Sequence, residues 1–299
     1  MQRNNPFAGT YTALITPFTL SGRLDEVRFQ QQIERQIAAG VDGIVPVGTT
    51  GESPTLTFEE HLRVIKLAVE YAAGRVKVLA GTGANSTSEA IQLTKGAEDA
   101  GADSSLQVAP YYNRPTQEGL YRHFLAIADA TRLPIILYNI PSRCGVDISV
   151  DTVCRLREAR RSITGIKVAN GSTDYVTELW ARLGGDFTIL SGDDSQTLPF
   201  LSVGADGAVS VVSNVVPEMV VKMIRMVYTR DFLAARGIHT RLYGLIKSLF
   251  LEGNPVGVKY AMKQRGFDSG EVRPPLAQVG PATATLIRNE LAALGLPQE

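Results

Sequence analysis

Eight short apolar runs alternate with eight stretches of helical periodicity along this chain, which predicts an α/β protein folded as a closed (β/α)8 barrel, a TIM barrel. The units recur every 20 to 35 residues or so, a spacing that fits parallel strands joined by right-handed helical crossovers. Beyond about residue 231 the strand signal stops and only helical patterns remain, so the 299 residues divide into a barrel over 1–230 and a small helical domain over 231–299. An open doubly wound sheet is the rival arrangement, but it usually has fewer units and lacks this regularity.

The first run, 11–15, is β-rich and ends at Thr16-Pro17. Residues 25–39 then place Val27, Phe29, Ile33 and Ile37 at near-helical intervals, and Gly40 is a natural helix stop. The second strand, 43–47, precedes a helix over 57–73 whose Thr57 and Glu60 have the spacing of a capping box. Ser86 and Glu89 repeat that spacing at the start of the third helix, 86–100, after a strand over 76–80. Strands at 106–109, 134–138, 163–167, 187–191 and 207–212 follow, with helices at 117–130, 150–159, 173–183, 194–203 and from Pro217 onward. The tail carries helical patterns over 232–251, 256–264 and 281–294.

Thirty basic residues balance thirty acidic ones, so no net field draws the chain to nucleic acid or an anionic membrane. Arg157, Arg160 and Arg161 form the one dense basic cluster, which reads as a solvated helix face. The first six residues contain no apolar leader, and no uncharged run is long enough to span a bilayer. Cys144 and Cys154 have no metal-binding spacing and fit a reducing compartment, so a cytoplasmic protein is expected. His61, His123 and His239 fall on separate helices, and no metal site is predicted.

In such a barrel the chemistry sits at the C-terminal strand ends, which gathers five loops around one cavity. The sixth strand ends in Lys167 within an apolar run. A lysine that loses its hydration there has a lowered pKa, and its neutral amine attacks ketones; the alternative is an ordinary strand-end lysine snorkelling to water. Gly48-Thr49-Thr50-Gly51 can cradle an anion with backbone N–H groups and two hydroxyls, or can simply be a tight turn. Tyr111, Tyr112 and Tyr138 can shuttle protons, and Arg143 can hold a carboxylate through paired bonds. Aromatic packing and a surface arginine are the plainer readings, but their convergence on one face favours an imine-forming enzyme for small carboxylated carbonyl compounds.

The segments GTTGES (48–53), AGTGAN (80–85), PYYNRPTQEGLY (110–121), LYNIPSRCGVD (137–147), GIK (165–167), LSGDD (190–194) and EGNPVGVKYAMK (252–263) run through most of the chain. Together they resemble the dihydrodipicolinate synthase family, among the pyruvate-dependent lysine Schiff-base aldolases that include the N-acetylneuraminate lyases. The resemblance implies that Lys167 forms an imine with pyruvate, with Tyr138, Thr49 and Tyr112 as a proton relay and Tyr112 serving a neighbouring subunit. It implies Thr50 as a binder of the pyruvate carboxylate and Arg143 of the aspartate-semialdehyde carboxylate, with Gly192 and Val209 lining the lysine's surroundings. No metal or organic cofactor is then expected, and a homotetramer built as a dimer of dimers is.

Two departures from the family pattern stand out. Val168 follows the lysine where a glutamate is common, which puts the second substrate in question. In the family's feedback site for lysine, Ser53, His61, Asn85, Glu89 and Tyr111 match, but Phe58 and Pro54 replace a histidine and an alanine, so weak or absent inhibition is expected. A sibling lyase or dehydratase for another 2-keto acid, such as a 2-keto-3-deoxy sugar acid, and a non-catalytic binding paralogue remain as alternatives.

Overall fold

The computed structural model describes residues 5–298; the first four residues of the N-terminal stretch, read above as carrying no leader, lie outside the described residues. Strands β1 (Gly9–Ala13), β2 (Gly43–Val45), β3 (Lys77–Gly81), β4 (Ser104–Val108), β5 (Ile135–Asn139), β6 (Ile163–Val168), β7 (Thr188–Ser191) and β8 (Gly207–Ser210) form one closed barrel in chain order. Every neighbouring pair is parallel. The seam between β1 and β8 pairs Gly9 with Gly207, where a Cβ on Gly207 would stand 1.9 Å from the Gly9 carbonyl oxygen. Only glycine permits that approach.

Strands β2 and β8 run shorter than their apolar stretches for identifiable reasons. β2 stops at Val45 because Pro46 has no N–H to give and Val47 turns left-handed. β8 stops at Ser210 because the Asp194 carboxylate takes the N–H groups of Val211 and Val212 at 2.9 and 2.8 Å. β1 begins two residues early, since its pairing with β8 starts at Gly9.

The connecting helices are α1 (Glu26–Ala38), α2 (Phe58–Ala72), α3 (Thr87–Ala100), α4 (Gln117–Asp129), the single turn α5 (Pro141–Cys144), α6 (Val150–Ala159), α7 (Thr173–Leu183), α8 (Thr197–Ser202) and α9 (Pro217–Tyr228). α2 opens with the expected capping box of Thr57 and Glu60, a feature worth about 1 kcal/mol. The second expected box is absent: the Ser86 hydroxyl pairs with Ser88 instead, and Glu89 is exposed. On α1 the expected apolar face is also corrected. Val27 is exposed, while Gln32 and Gln36 are buried with Phe29 and Ile33. Gln36 has polar partners inside, accepting from Thr12 and donating to the Ser213 carbonyl.

Three helices follow the barrel: α10 (Phe232–Leu249), α11 (Val256–Gln264) and α12 (Pro281–Ala293). α10 packs along α9 and α12, with Leu242, Leu245, Ile246 and Leu249 on its buried face. At roughly 25 cal/mol per Å² of apolar surface, each such leucine contributes about 2 kcal/mol, which ties these helices to the barrel. Among the described residues, no helix is long and apolar enough to cross a membrane.

Candidate active site

β5 and β6 lie in a register that pairs Tyr138 with Lys167, so both side chains leave the sheet on the same face. Lys167 is 6 % exposed, and its Nζ lies 4.0 Å from the centre of the Tyr138 ring. Burial pushes the Lys167 ammonium down to about 7; the Asp194 carboxylate opposes that shift and Arg143 adds to it. A substantial share of the amine is therefore neutral at physiological pH. The snorkelling alternative is overturned, because the ammonium end has been taken out of water rather than delivered to it.

Gly192 makes room for this lysine. A Cβ at that position would meet Lys167 Cε at 2.8 Å and Cγ at 3.0 Å. Val168, at the end of β6, is fully buried and by strand alternation leaves the opposite face from Lys167. Val168 packs among the apolar side chains of the core. Val209 is buried on β8, opposite Tyr11.

A cavity of about 210 Å³ opens at the C-terminal strand ends, with Thr49, Ser53, Tyr111, Tyr138 and Arg143 among its walls. Thr49 lines the cavity beside Tyr138, whose phenol is raised by burial and so stays protonated at neutral pH. Lys167 does not line this cavity; it lies against the ring of Tyr138, which does. Cys144 is also a wall, but burial pushes its thiol up to about 11, leaving it a poor nucleophile. A larger cavity of about 720 Å³ lies at the other end of the barrel, beside Gly9 and Asp206. That is the end where this architecture places stability rather than catalysis.

Thr50 is buried behind the turn, where its hydroxyl accepts from Asn254 Nδ2 at 2.8 Å. Arg143 is exposed, and its Nη2 donates to the Asn254 carbonyl at 3.1 Å. Asn254 thus joins the two residues that the sequence pairs with carboxylates, a role no local motif announces. Tyr112 is not brought to Tyr138 within the chain: it is 93 % exposed, with a left-handed φ of 73°. A bulky residue held in that region of the backbone is strained.

Of the five residues matched to a feedback site, Ser53, Asn85, Glu89 and Tyr111 are neighbours at the rim of this cavity. Ser53 and Tyr111 share the cavity with Thr49, and Asn85 donates to the Tyr111 carbonyl at 3.2 Å. His61 is buried with Nε2 against the Gly81 carbonyl at 2.7 Å, and burial lowers its pKa. Glu89 is exposed on α3.

One acidic residue of the LSGDD segment gains a role from the structure. Asp194 is buried, accepts from the Val211 and Val212 N–H groups, and is close enough to Lys167 to raise its pKa. Burial raises its carboxyl, and those donors oppose the rise. Its signal is the second of two acids that follow β7 at the catalytic end, three residues past Ser191. Among the described residues, no set of three or more His, Cys, Asp or Glu side chains converges to hold a metal.

Residues 6–293 match the model of the Dihydrodipicolinate synthetase family. The chain is 49 % identical over 291 residues to the 4-hydroxy-tetrahydrodipicolinate synthase of Persephonella marina, covering 97 % of this chain and 99 % of that relative. Its fold superposes with a TM-score of 0.95 on the 4-hydroxy-tetrahydrodipicolinate synthase of Methylacidiphilum fumariolicum SolV, 52 % identical, covering 97 % and 96 % of the two chains. A dihydrodipicolinate synthase variant characterised as monomeric is similar at 38 % identity, with a TM-score of 0.95 and coverage of 97 % and 98 %.

Proposed function

This chain belongs to the dihydrodipicolinate synthetase family, and from that membership we propose that its site condenses pyruvate with L-aspartate 4-semialdehyde to give 4-hydroxy-tetrahydrodipicolinate, in the diaminopimelate route to lysine. The observation that carries the reading is the buried Lys167, with its pKa near 7 and its amine against Tyr138. The neutral amine adds to the ketone of pyruvate and water leaves, forming an iminium. That cation withdraws electrons from the adjacent methyl group, which gives up a proton and leaves an enamine. The enamine carbon then bonds to the aldehyde carbon of the semialdehyde, whose oxygen takes a proton. Attack by the substrate's own amino group on the iminium carbon closes the ring and expels Lys167.

Tyr138 is the proton carrier in this reading, supported by its place beside Thr49 and its protonated phenol. Thr50 takes the pyruvate carboxylate and Arg143 that of the semialdehyde. Gly192 and Val209 shape the space around the lysine. Asp194 is a fixed counter-charge for the iminium, supported by its upward pull on the Lys167 pKa and by the two backbone N–H groups that hold its carboxylate in place. The strained, exposed Tyr112 belongs to a neighbour's relay, which makes a dimer the smallest active unit and a dimer-of-dimers tetramer the natural assembly. The lysine supplies the covalent catalysis, so the reaction calls on no organic cofactor or metal. A cytoplasmic location fits a biosynthetic enzyme of small soluble metabolites.

The test is borohydride reduction in the presence of pyruvate, followed by peptide mass mapping. A reduced pyruvyl adduct on Lys167 is expected, and an unmodified lysine would sink the reading. Parallel assays with aspartate semialdehyde and with 2-keto-3-deoxy sugar acids choose between the synthase and a sibling lyase. The sibling reading drew its support from Val168, and that residue faces away from the site.

A further inference from the structure

The turn after β2 is left-handed at both ends, with φ of 52° at Val47 and 56° at Glu52. Side-chain-bearing residues resist this region of the backbone, a β-branched valine most of all, and such a turn persists only where its surroundings over-determine it. Between these two residues lie Thr49 and Thr50.

What holds Glu52 comes from the far end of the chain. Its fully buried carboxylate accepts from Lys259 Nζ at 2.5 Å on one oxygen and from the Arg273 backbone N–H at 3.0 Å on the other. Lys259 is equally buried; it donates to the Glu271 carbonyl at 2.6 Å and lies 4.1 Å from the centre of the Phe18 ring. The Arg273 guanidinium grips Glu60 through two bonds of 2.6 and 2.7 Å, so the same segment also anchors the start of α2. A buried ion pair is a weak stabiliser compared with well-packed apolar side chains, so stability alone is a poor reason to keep one. Neither Lys259 nor Glu52 lines the cavity.

We infer that Lys259 and Glu52 are positioning residues: through this pair the C-terminal helices clamp the 48–52 turn so that Thr49 meets Tyr138 and Thr50 stands ready for the carboxylate of pyruvate. The inference rests on the roles given to Thr49 and Thr50 above. It separates those residues, which touch substrate or relay, from a clamp that never does.

The neutral double variant Glu52→Gln/Lys259→Met removes both charges at nearly constant volume, which avoids stranding one of them. Its fold is checked by circular dichroism and melting. The expected result is a folded protein whose pyruvate KM rises, and whose rate of borohydride-trapped imine formation falls, by about tenfold, while the KM for aspartate semialdehyde moves by less than about twofold. Should the double variant not fold, the near-isosteric Glu52→Gln alone is expected to show the same split to a smaller degree. A folded variant with wild-type pyruvate KM and trapping rate overturns the inference, as does an equal rise in both KM values. Absence of trapping in the wild-type chain would instead overturn the reading of Lys167, and the clamp's purpose with it.

Discussion

The amine of Lys167 rests 4.0 Å from the centre of the Tyr138 ring, while the same tyrosine shares the cavity wall with Thr49. The ring face favours a cation by about 1–2 kcal/mol, and burial favours the neutral amine by more. On the proposed mechanism, that balance leaves the amine near neutrality before pyruvate arrives and gives the iminium an attractive surface afterwards. The two functions of Tyr138 are separable, because one belongs to the ring and the other to the hydroxyl.

Tyr138→Phe keeps the ring and removes the proton carrier. The variant should still trap pyruvate on Lys167 but lose about 10²-fold or more in kcat, in the range general acid–base catalysis supplies. Tyr138→Leu should be slower still in trapping. If the two variants trap at the same rate, the ring contributes nothing to the iminium.

The pH dependence of trapping follows from the lysine. Its pKa of about 7 predicts an imine-forming rate that rises with pH through 7 and then levels off. Stopped trapping across pH 5.5 to 9 checks this, with those limits chosen to span about one and a half units or more either side. A limb centred near the ordinary lysine value of 10.5 would contradict the burial argument.

Stability should carry the same signature with a definite sign. Between about 7 and 10.5 the unfolded chain binds a proton at Lys167 that the folded chain does not, so stability attributable to this residue rises with pH across that window. Below it the full penalty applies. Lys167→Met should therefore melt higher than the wild type at pH 7, by about 5 °C or more, and should lose that part of the pH dependence. A lower melting temperature would mean that the lysine's contacts outweigh its desolvation.

Gly192→Ala should fold and yet fail as a catalyst. The new methyl group would press on Lys167 Cε and Cγ, at 2.8 and 3.0 Å, and the amine must swing away. Trapping slower by about tenfold is expected, because reacting atoms tolerate little misplacement. An unchanged rate would show that the lysine has slack around it.

Feedback by L-lysine should be weak or absent. Phe58 offers no polar group, Pro54 takes the place of a small residue, and His61 is already engaged with the Gly81 carbonyl. Initial rates in the presence of millimolar L-lysine should match those without it, and inhibition at micromolar lysine would refute the expectation.

Much of the barrel was legible because its signals are local. Apolar periodicity located the eight strand–helix units, and the Thr57–Glu60 spacing marked the start of α2 where the capping box forms. The signals failed where a local pattern had a competitor. Ser86 has the right neighbour at Glu89 but bonds to Ser88, and Val47 was counted in a strand although the backbone turns at Pro46. At the site, Lys167 and Tyr138 could be named from the sequence, but not the face on which Val168 lies, which depends on strand alternation about a fixed lysine. Asn254 and Lys259 stood in a segment quoted only for likeness. Their partners, Thr50 and Glu52, lie some 200 positions away, beyond any periodic signal.

The distance from Glu52 to Lys259 is 207 positions, and chains are made from one end. A ribosome that has released all eight strands has already delivered Lys167 and Tyr138, but not the residue that closes on Glu52. Domains fold as they emerge, N-terminal parts first, so the anchor of the 48–52 turn is the last of these contacts to become available. A chain cut before Lys259 would keep all eight strands and lack that anchor.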